Sequence, residues 1–474
     1  MQRVVLRVVV CALAACASPA PESVDAPVAL PGTFGDGGER VLPERWWLDF
    51  EDEALAALVE EALDTNLDLR TFWDRLAQIE AVAVIEGAPR RVQADVFARG
   101  RAGVAGRKSD TSSDNELSFG LAASYELDVW GRLRARHAAA LLDVKASEEE
   151  LMAAAISLTA LVATSWYQLV EQRAQLDLLE QQLESNEQVL ELLTLRFRQG
   201  QLAAADVLRQ RQLVESTRGD RIAVEERIRL LEYQLAVLLG RAPGTLELPG
   251  RTELVELPPL PATGVPAALV ERRPDVREVF HDVLAADRRV AEAIADRYPR
   301  FTLSLSASTG GPRLSDIFDT WFANLVLAAV QPLLDGGLRR AEVDRTRAVV
   351  SERVHQYGAA ILLALREVED ALVQERKRTE QIENLDRRLA LAREVLVRLR
   401  DRYTQGNVNY IDVLQALISQ QSLERSRLAA ERERIEFRIN LCRALAGGWT
   451  MERPALATVR GPDGATEHES RLER

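Results

Sequence analysis

Two hydrophobic patterns alternate along the chain, and each occurs twice. Leu169, Leu176, Leu183, Leu190 and Phe197 recur every seven residues, with Leu179 and Leu193 on the companion position. Further on, Ile382, Leu389, Leu396 and Tyr403 do the same, accompanied by Leu385 and Leu399. A seven-residue apolar repeat makes a seam that needs a neighbouring helix. Residues 132–199 contain neither Gly nor Pro, and residues 338–405 contain only Gly358. At ~1.5 Å per residue each stretch predicts a helix roughly 100 Å long, far beyond an ordinary globular helix. At Gly200 and Gly406 the pattern stops, as expected where glycine supplies the positive φ that ends a helix. Shorter helices near 203–239 and 410–445 then return along the first pair. Taken alone, such hairpins also suit a soluble coiled coil.

The second pattern has period two. From Glu116 to Trp130, Leu117, Phe119, Leu121, Ala123, Tyr125 and Leu127 share one face, and Ser118, Gly120, Ala122, Ser124, Glu126 and Asp128 share the other. That is a strand with one apolar and one small, polar face. Val92, Ala94, Val96 and Ala98 alternate with Gln93, Asp95 and Arg99 in a weaker strand (91–102), and 103–115 reads as a polar loop between the two. In the second half, Phe301, Leu303, Leu305 and Ala307 alternate with Thr302, Ser304, Ser306 and Ser308 (strand 300–309). A Gly/Pro/Asp loop over 310–319 then leads to a strand at 321–334 that is apolar on both faces. Apolar-out, polar-in strands of this length are the signature of a membrane β-barrel; one sheet of a soluble sandwich is the alternative. Four strands cannot close a barrel, and an open edge in lipid leaves backbone groups unpaired. If the strands cross a membrane, several chains must therefore share one barrel. No run of 18 apolar residues in the mature chain offers a helical span.

The two halves are copies. Shifting the sequence so that Gly131 falls on Gly337 carries without a gap to Arg241 on Gly447, with Asp206-Val207-Leu208 lying over Asp412-Val413-Leu414. Repeats organise the reading: residues 52–265 form a first unit (helix, two strands, hairpin 132–240, Pro-rich segment), and 266–446 form a second (helix, two strands, hairpin 338–446). The leading helices run from about Asp52 to Glu86 and from Pro266 to about Arg297. Residues 447–474 form a Gly-, Pro- and charge-rich tail.

Composition narrows the function. A net charge of −13 makes nucleic acid an unsuitable partner. Met1–Arg7 carries two Arg and is followed by a short apolar run, too short to span a bilayer, so residues 1–15 read as a secretory signal. The run ends Leu13-Ala14-Ala15-Cys16, which resembles a bacterial lipobox with Cys16 as the acylated residue; a plain signal with an incidental Cys is the alternative. Residues 16–51 follow as a lipidated linker. Beyond Cys16 only Cys442 remains, so no internal disulfide is possible. His137, His281, His355 and His468 share no metal spacing, and there is neither a phosphate-binding Gly loop nor a nucleophile elbow. No enzyme, metal site or cofactor is indicated.

The chain resembles the TolC/OprM family of outer-membrane efflux proteins, in its lipoprotein (NodT-like) branch. The resemblance rests on Glu271-Arg272-Arg273-Pro274-Asp275-Val276-Arg277, Trp46-Trp47 with Asp49-Phe50, Asp64 with Asn66-Leu67-Asp68-Leu69-Arg70, Tyr125-Glu126-Leu127-Asp128-Val129-Trp130-Gly131 and the two Gly-turn-Asp-Val-Leu tips. It implies a mainly α fold with membrane β: a homotrimer whose chains each give four strands to a twelve-stranded barrel standing on a long periplasmic α-barrel. It implies an outer-membrane exit duct, lipid-anchored, that docks a periplasmic membrane-fusion adaptor and through it an inner-membrane transporter of the RND or a related class. It also implies that the tips (Gln199, Gly200, Gln405, Gly406) meet the adaptor. A periplasmic gate would involve Asp206, Tyr403, Asp412 and Gln415, with Tyr403 hydrogen-bonding Asp206. Asp206 and Asp412 would serve equally as plain helix caps. Val408 and Gln415 depart from a related duct, which has an arginine and an acid at these positions, implying a gate that binds cations less and opens more easily. Two rival functions are a lipidated periplasmic adaptor without a barrel, and the same duct serving type I protein secretion.

Overall fold

The computed structural model describes residues 27–35, 37–107, 110–311 and 317–453. The signal segment 1–15, Cys16 and the tail from residue 454 lie outside the described residues. A 3-10 turn at Trp46–Phe50 precedes α1 (Glu53–Thr65), α2 (Leu67–Gly87), β1 (Gln93–Arg107), β2 (Asp110–Leu127), α3 (Arg132–Arg198) and α4 (Ala204–Leu238). The second half runs α5 (Pro266–Arg272), α6 (Pro274–Ala295), β3 (Arg300–Gly311), β4 (Trp321–Val330), α7 (Leu338–Thr404) and α8 (Tyr410–Leu445).

The strands form one antiparallel sheet in the order β1-β2-β3-β4. Its register places Val96 beside Leu121, Leu121 beside Ala307, and Leu303 beside Leu327. Residues paired directly across strands share a face, so the predicted apolar sides fuse into one surface. That surface is bare: Val96, Phe119, Leu121, Leu305, Leu325 and Leu327 are all exposed. The opposite face of β2 has glycine at 120, where a Cβ would meet the Phe97 ring and the Ala307 carbonyl within 3 Å. Two sequence readings are corrected. Residues 103–107 and 110–115 of the polar stretch are strand, not loop: β1 and β2 run on to the pair Arg107–Asp110, because paired strands satisfy backbone groups whatever their side chains. β4 ends at Val330, short of the Pro332 that lies inside the predicted strand 321–334.

The long helices are as read. α3 and α7 each have 67 residues, about 100 Å at ~1.5 Å per residue. The leading helices are each broken, against the sequence reading. Asn66 leaves helical geometry between α1 and α2; its side chain caps α2 through Leu69 N–H (2.9 Å) and donates to the Leu238 carbonyl at the end of α4 (2.9 Å). Arg273 also leaves helical geometry between α5 and α6 and, without capping α6 through its side chain, donates to the Ala444 carbonyl near the end of α8 (3.2 Å). Each break is thus a joint where a short helix abuts the end of a return helix, and the orphan C-terminal carbonyls find donors there.

The strand-to-helix passages also repeat. The Asp128 carboxylate accepts Leu133 and Arg134 N–H (3.0 and 2.9 Å) at the start of α3, and Glu126 holds Arg132 bidentately. Asp335 accepts Gly337 N–H (3.0 Å) before α7. Trp130 stacks on Tyr298 and donates to the Pro299 carbonyl, tying the foot of β2 to the start of β3.

The main core packs Trp46, Trp47 and Phe50 with α1 against the middle of α3 around Trp166 and Tyr167. Asp52, 3% exposed, caps α1 through Ala54 and Leu55 N–H, accepts Trp166 Nε1–H (3.0 Å) and pairs with Arg251 (3.0 Å). α3 contains no unbroken run of 18 apolar residues, but by length and composition it holds an 18-residue stretch apolar enough to cross a membrane. That stretch is 61% buried, so its apolarity is explained by helix packing. The Pro-rich segment wraps this level: Arg438, paired with Glu375 in the core, also donates to the Pro258 carbonyl (2.6 Å).

Candidate functional site at the helix tips

The far ends of the two hairpins are built alike. Gly200 (φ +73°) and Gly406 (φ +75°) close α3 and α7 in the left-handed conformation. Gln201 N–H then bonds the Arg196 carbonyl (3.0 Å), and Asn407 N–H bonds that of Arg402 (2.9 Å). A Cβ at either glycine would meet nothing within 4 Å, so glycine is required here for backbone sign rather than space. Gln199, Gly200, Gln405 and Gly406 are all exposed.

Just inside the turns the repeats differ. Asp412 completes a capping box: its carboxylate accepts Asn409 N–H (3.3 Å) while the Asn409 side chain caps α8. Asp206 caps nothing; it pairs with Arg209 one turn on (2.9 Å). Tyr403 lies edge-on to Tyr410 at 5.7 Å, with the Arg196 guanidinium over its ring. Among the described residues no hydrogen bond joins Tyr403 to Asp206, whose carboxylate accepts from Arg209 instead. The aromatic hydroxyl that bonds across the repeats is that of Tyr410, which donates to Gln210 Oε1 at 2.6 Å. Burial, and then Tyr403 and Asp206 close by, push the Tyr410 hydroxyl above its ordinary pKa, so it remains a donor. Leu193 and Val207 of the first repeat pack with Leu396, Tyr410, Val413 and Leu414 of the second, so the tips are zipped across the repeats. Gln415 is exposed on α8, and Val408 is half-buried in the turn before it.

The motif residues 272–275 are not near these tips. Arg272 is exposed, Pro274 starts α6, and Arg273 is buried at the joint, 2.7 Å from both Asp275 and Glu367. Burial works against the Arg273 charge, but its bonds to Asp275 and Glu367 outweigh it and hold its pKa above the usual value. The motif is a structural clasp. Sequence reasoning missed Tyr410, Gln210, Asn186 and Gln421. Their signal was the buried-polar type at helical spacing: Gln182 and Asn186 one turn apart, Gln210 and Thr217 one heptad apart.

An amphipathic sheet that is apolar on one face and open at both edges, standing on paired helices about 100 Å long, defines the subunit of an oligomeric membrane duct. Comparison with known proteins gives the same class. The sequence profile described as outer membrane efflux protein matches residues 58–241 and 265–447. The chain is 31% identical over 431 residues to the pyoverdine export outer membrane protein OpmQ of Pseudomonas aeruginosa, covering 87% of this chain and 89% of OpmQ. It is 30% identical over 436 residues to the toluene efflux pump outer membrane protein TtgF of Pseudomonas putida, covering 88% of each chain. The crystal structure of CusC superposes with a TM-score of 0.84 at 28% identity, covering 91% of this chain and all of that one. The outer-membrane channel OprN gives 0.84 at 25% identity, over 90% and 99%. The chain belongs to the outer membrane efflux protein family: it is an outer-membrane channel component of an efflux pump. The adaptor alternative is set aside, since these relatives are the outer-membrane channels themselves.

Proposed function

We propose that three copies close one twelve-stranded barrel and that the joined helices form a periplasmic tube, giving a passive exit duct for small molecules. The observation that carries this is the four-stranded sheet with a continuous apolar face and free β1 and β4 edges. Neither edge can remain unpaired in lipid, and a ring of such sheets pairs both. Cys16, acylated, anchors each chain to the outer-membrane lipid. A membrane-fusion adaptor docks at Gln199, Gly200, Gln405 and Gly406, and links the duct to an inner-membrane transporter of the RND or a related class. Asp206, Tyr403, Asp412 and Gln415 belong to the gate at these tips, with the Tyr403 ring as packing between Tyr410 and Arg196. Free energy comes from the partners, and the chain performs no catalysis. Relatives are named for pyoverdine, toluene and cation efflux; the duct carries what its transporter delivers, so its cargo is of this small-molecule kind.

The test is the particle. Detergent-extracted protein is weighed by light scattering and outlined by negative-stain microscopy. A trimeric tube more than about 100 Å long is the expected result; a monomer or a soluble rod overturns the reading.

A further inference from the structure

Between the tip cluster and the main core, the two repeats are joined by hydrogen bonds rather than by oil. Asn186 on α3, fully buried, exchanges bonds in both directions with Gln421 on α8: Gln421 Nε2 donates to Asn186 Oδ1 (3.0 Å), and Asn186 Nδ2 donates to Gln421 Oε1 (3.4 Å). Toward the tip, Gln210 of α4 donates to the Asn186 backbone carbonyl (2.7 Å) and accepts from Tyr410 (2.6 Å). Away from the tip, Gln182 donates to Glu424 (3.2 Å) and accepts from Arg425 (2.8 Å). Gln182, Gln210 and Gln421 are each at most 5% exposed. The apolar cluster at this level, Ile382, Leu385, Leu389, Leu423 and Ala430, lies wholly within the α7/α8 pair and does not reach α3 or α4.

Apolar seams slide at small cost, whereas a buried carboxamide is satisfied only opposite its partner. A single polar layer in a coiled coil therefore fixes register at some expense of stability. Moving α8 by one turn, about 5.4 Å, would strand both carboxamides and the Gln182 and Gln210 contacts together, because these residues share partners. Asn186 lies about 20 Å from the Gln199 turn along α3, at ~1.5 Å per residue.

We propose that the Asn186–Gln421 carboxamide pair is a register lock for the tips: it holds α8 in one axial position against α3 and α4, and it breaks as a unit when the tips separate. The lock rests on the duct reading above. It makes the polar layer the boundary between a fixed upper tube and a moving lower end.

The experiment records single-channel opening of the purified full-length protein in planar bilayers, with thermal melting alongside. In Asn186→Leu/Gln421→Leu, an apolar pair replaces the directional one. Opening becomes about tenfold more frequent, the scale of buried hydrogen bonds lost from one state only, while the melting temperature is unchanged or higher. Asn186→Gln/Gln421→Asn keeps two carboxamides and returns opening toward wild type. The lock is overturned if the leucine pair opens as wild type does, or if the exchanged pair opens as the leucine pair does. A wild-type protein that forms no conducting unit at all is a different failure, which removes the duct reading and the lock with it.

Discussion

Arg273 shows how much one side chain can organise. It is 7% exposed, bonds two carboxylates and closes a helix end. Its truncation leaves Glu367 with Arg443 alone (3.3 Å) and takes the donor from the Ala444 carbonyl, and losing such charge-assisted bonds costs roughly 1.5–3 kcal/mol. Arg273→Ala is therefore expected to lower the denaturant midpoint by that equivalent, and Arg273→Lys to recover only part, because an ammonium lacks the guanidinium fork. Glu278 gives a pH signature. Burial, followed by Glu150, Asp282, Asp275 and Glu149, raises its pKa from 4.5 to about 7. The folded chain then binds more protons than the unfolded one between these values, so stability falls as pH rises through that window and stays lower above it. Glu278→Gln should melt higher than wild type at pH 8 and together with it at pH 4. Equal melting at both values would remove the effect.

At the scale of elements, the sequence was clearest where one period ran without competition. The heptads of α3 and α7 and the alternation of β2 and β3 carry their own geometry, and the glycines at 131, 200, 337 and 406 mark their ends with positive φ. Legibility failed where a partner element decides. The break at Asn66 depends on the Leu238 carbonyl, and the break at Arg273 on the Ala444 carbonyl, both more than a hundred residues away. Residues 103–107 and 110–115 lack the alternation yet are paired, because ladder bonds do not need apolar side chains. The tip contacts were half legible. The aromatic at Tyr403 was visible, but the hydroxyl that bridges the repeats belongs to Tyr410, and its acceptor Gln210 is on another helix. Two predictions separate these cases. Tyr410→Phe leaves Gln210 short of a buried partner and should raise opening frequency several-fold, whereas Tyr403→Phe, which keeps the ring against Tyr410, should leave it unchanged. In the sheet, Leu121→Arg puts a charge on the apolar face and should cost roughly 2–4 kcal/mol near the bilayer midplane, measured by urea unfolding in vesicles. Ser306→Arg, on the other face, should leave unfolding alone and alter ion selectivity.

At the scale of the whole molecule, a single chain is physically incomplete. Its sheet presents an apolar face to the outside and ends in two strands with one unpaired side each. In water that surface would aggregate, and in lipid those edges would strand N–H and C=O groups with no water to bond. Ring closure answers both at once, because β1 of one copy then pairs with β4 of the next, and the apolar face meets only lipid. The consequence is measurable without a structure of the assembly. In a lone sheet, every second N–H of β1 and β4 faces outward and exchanges quickly with deuterated solvent wherever solvent reaches it. In the closed ring all of them are ladder donors. Hydrogen exchange on the detergent-solubilised assembly should therefore protect adjacent amides of β1 equally, and those of β4 as well. Fast exchange at alternate positions along Trp321–Val330 would mean that the edge is free and that the copies meet through their helices alone.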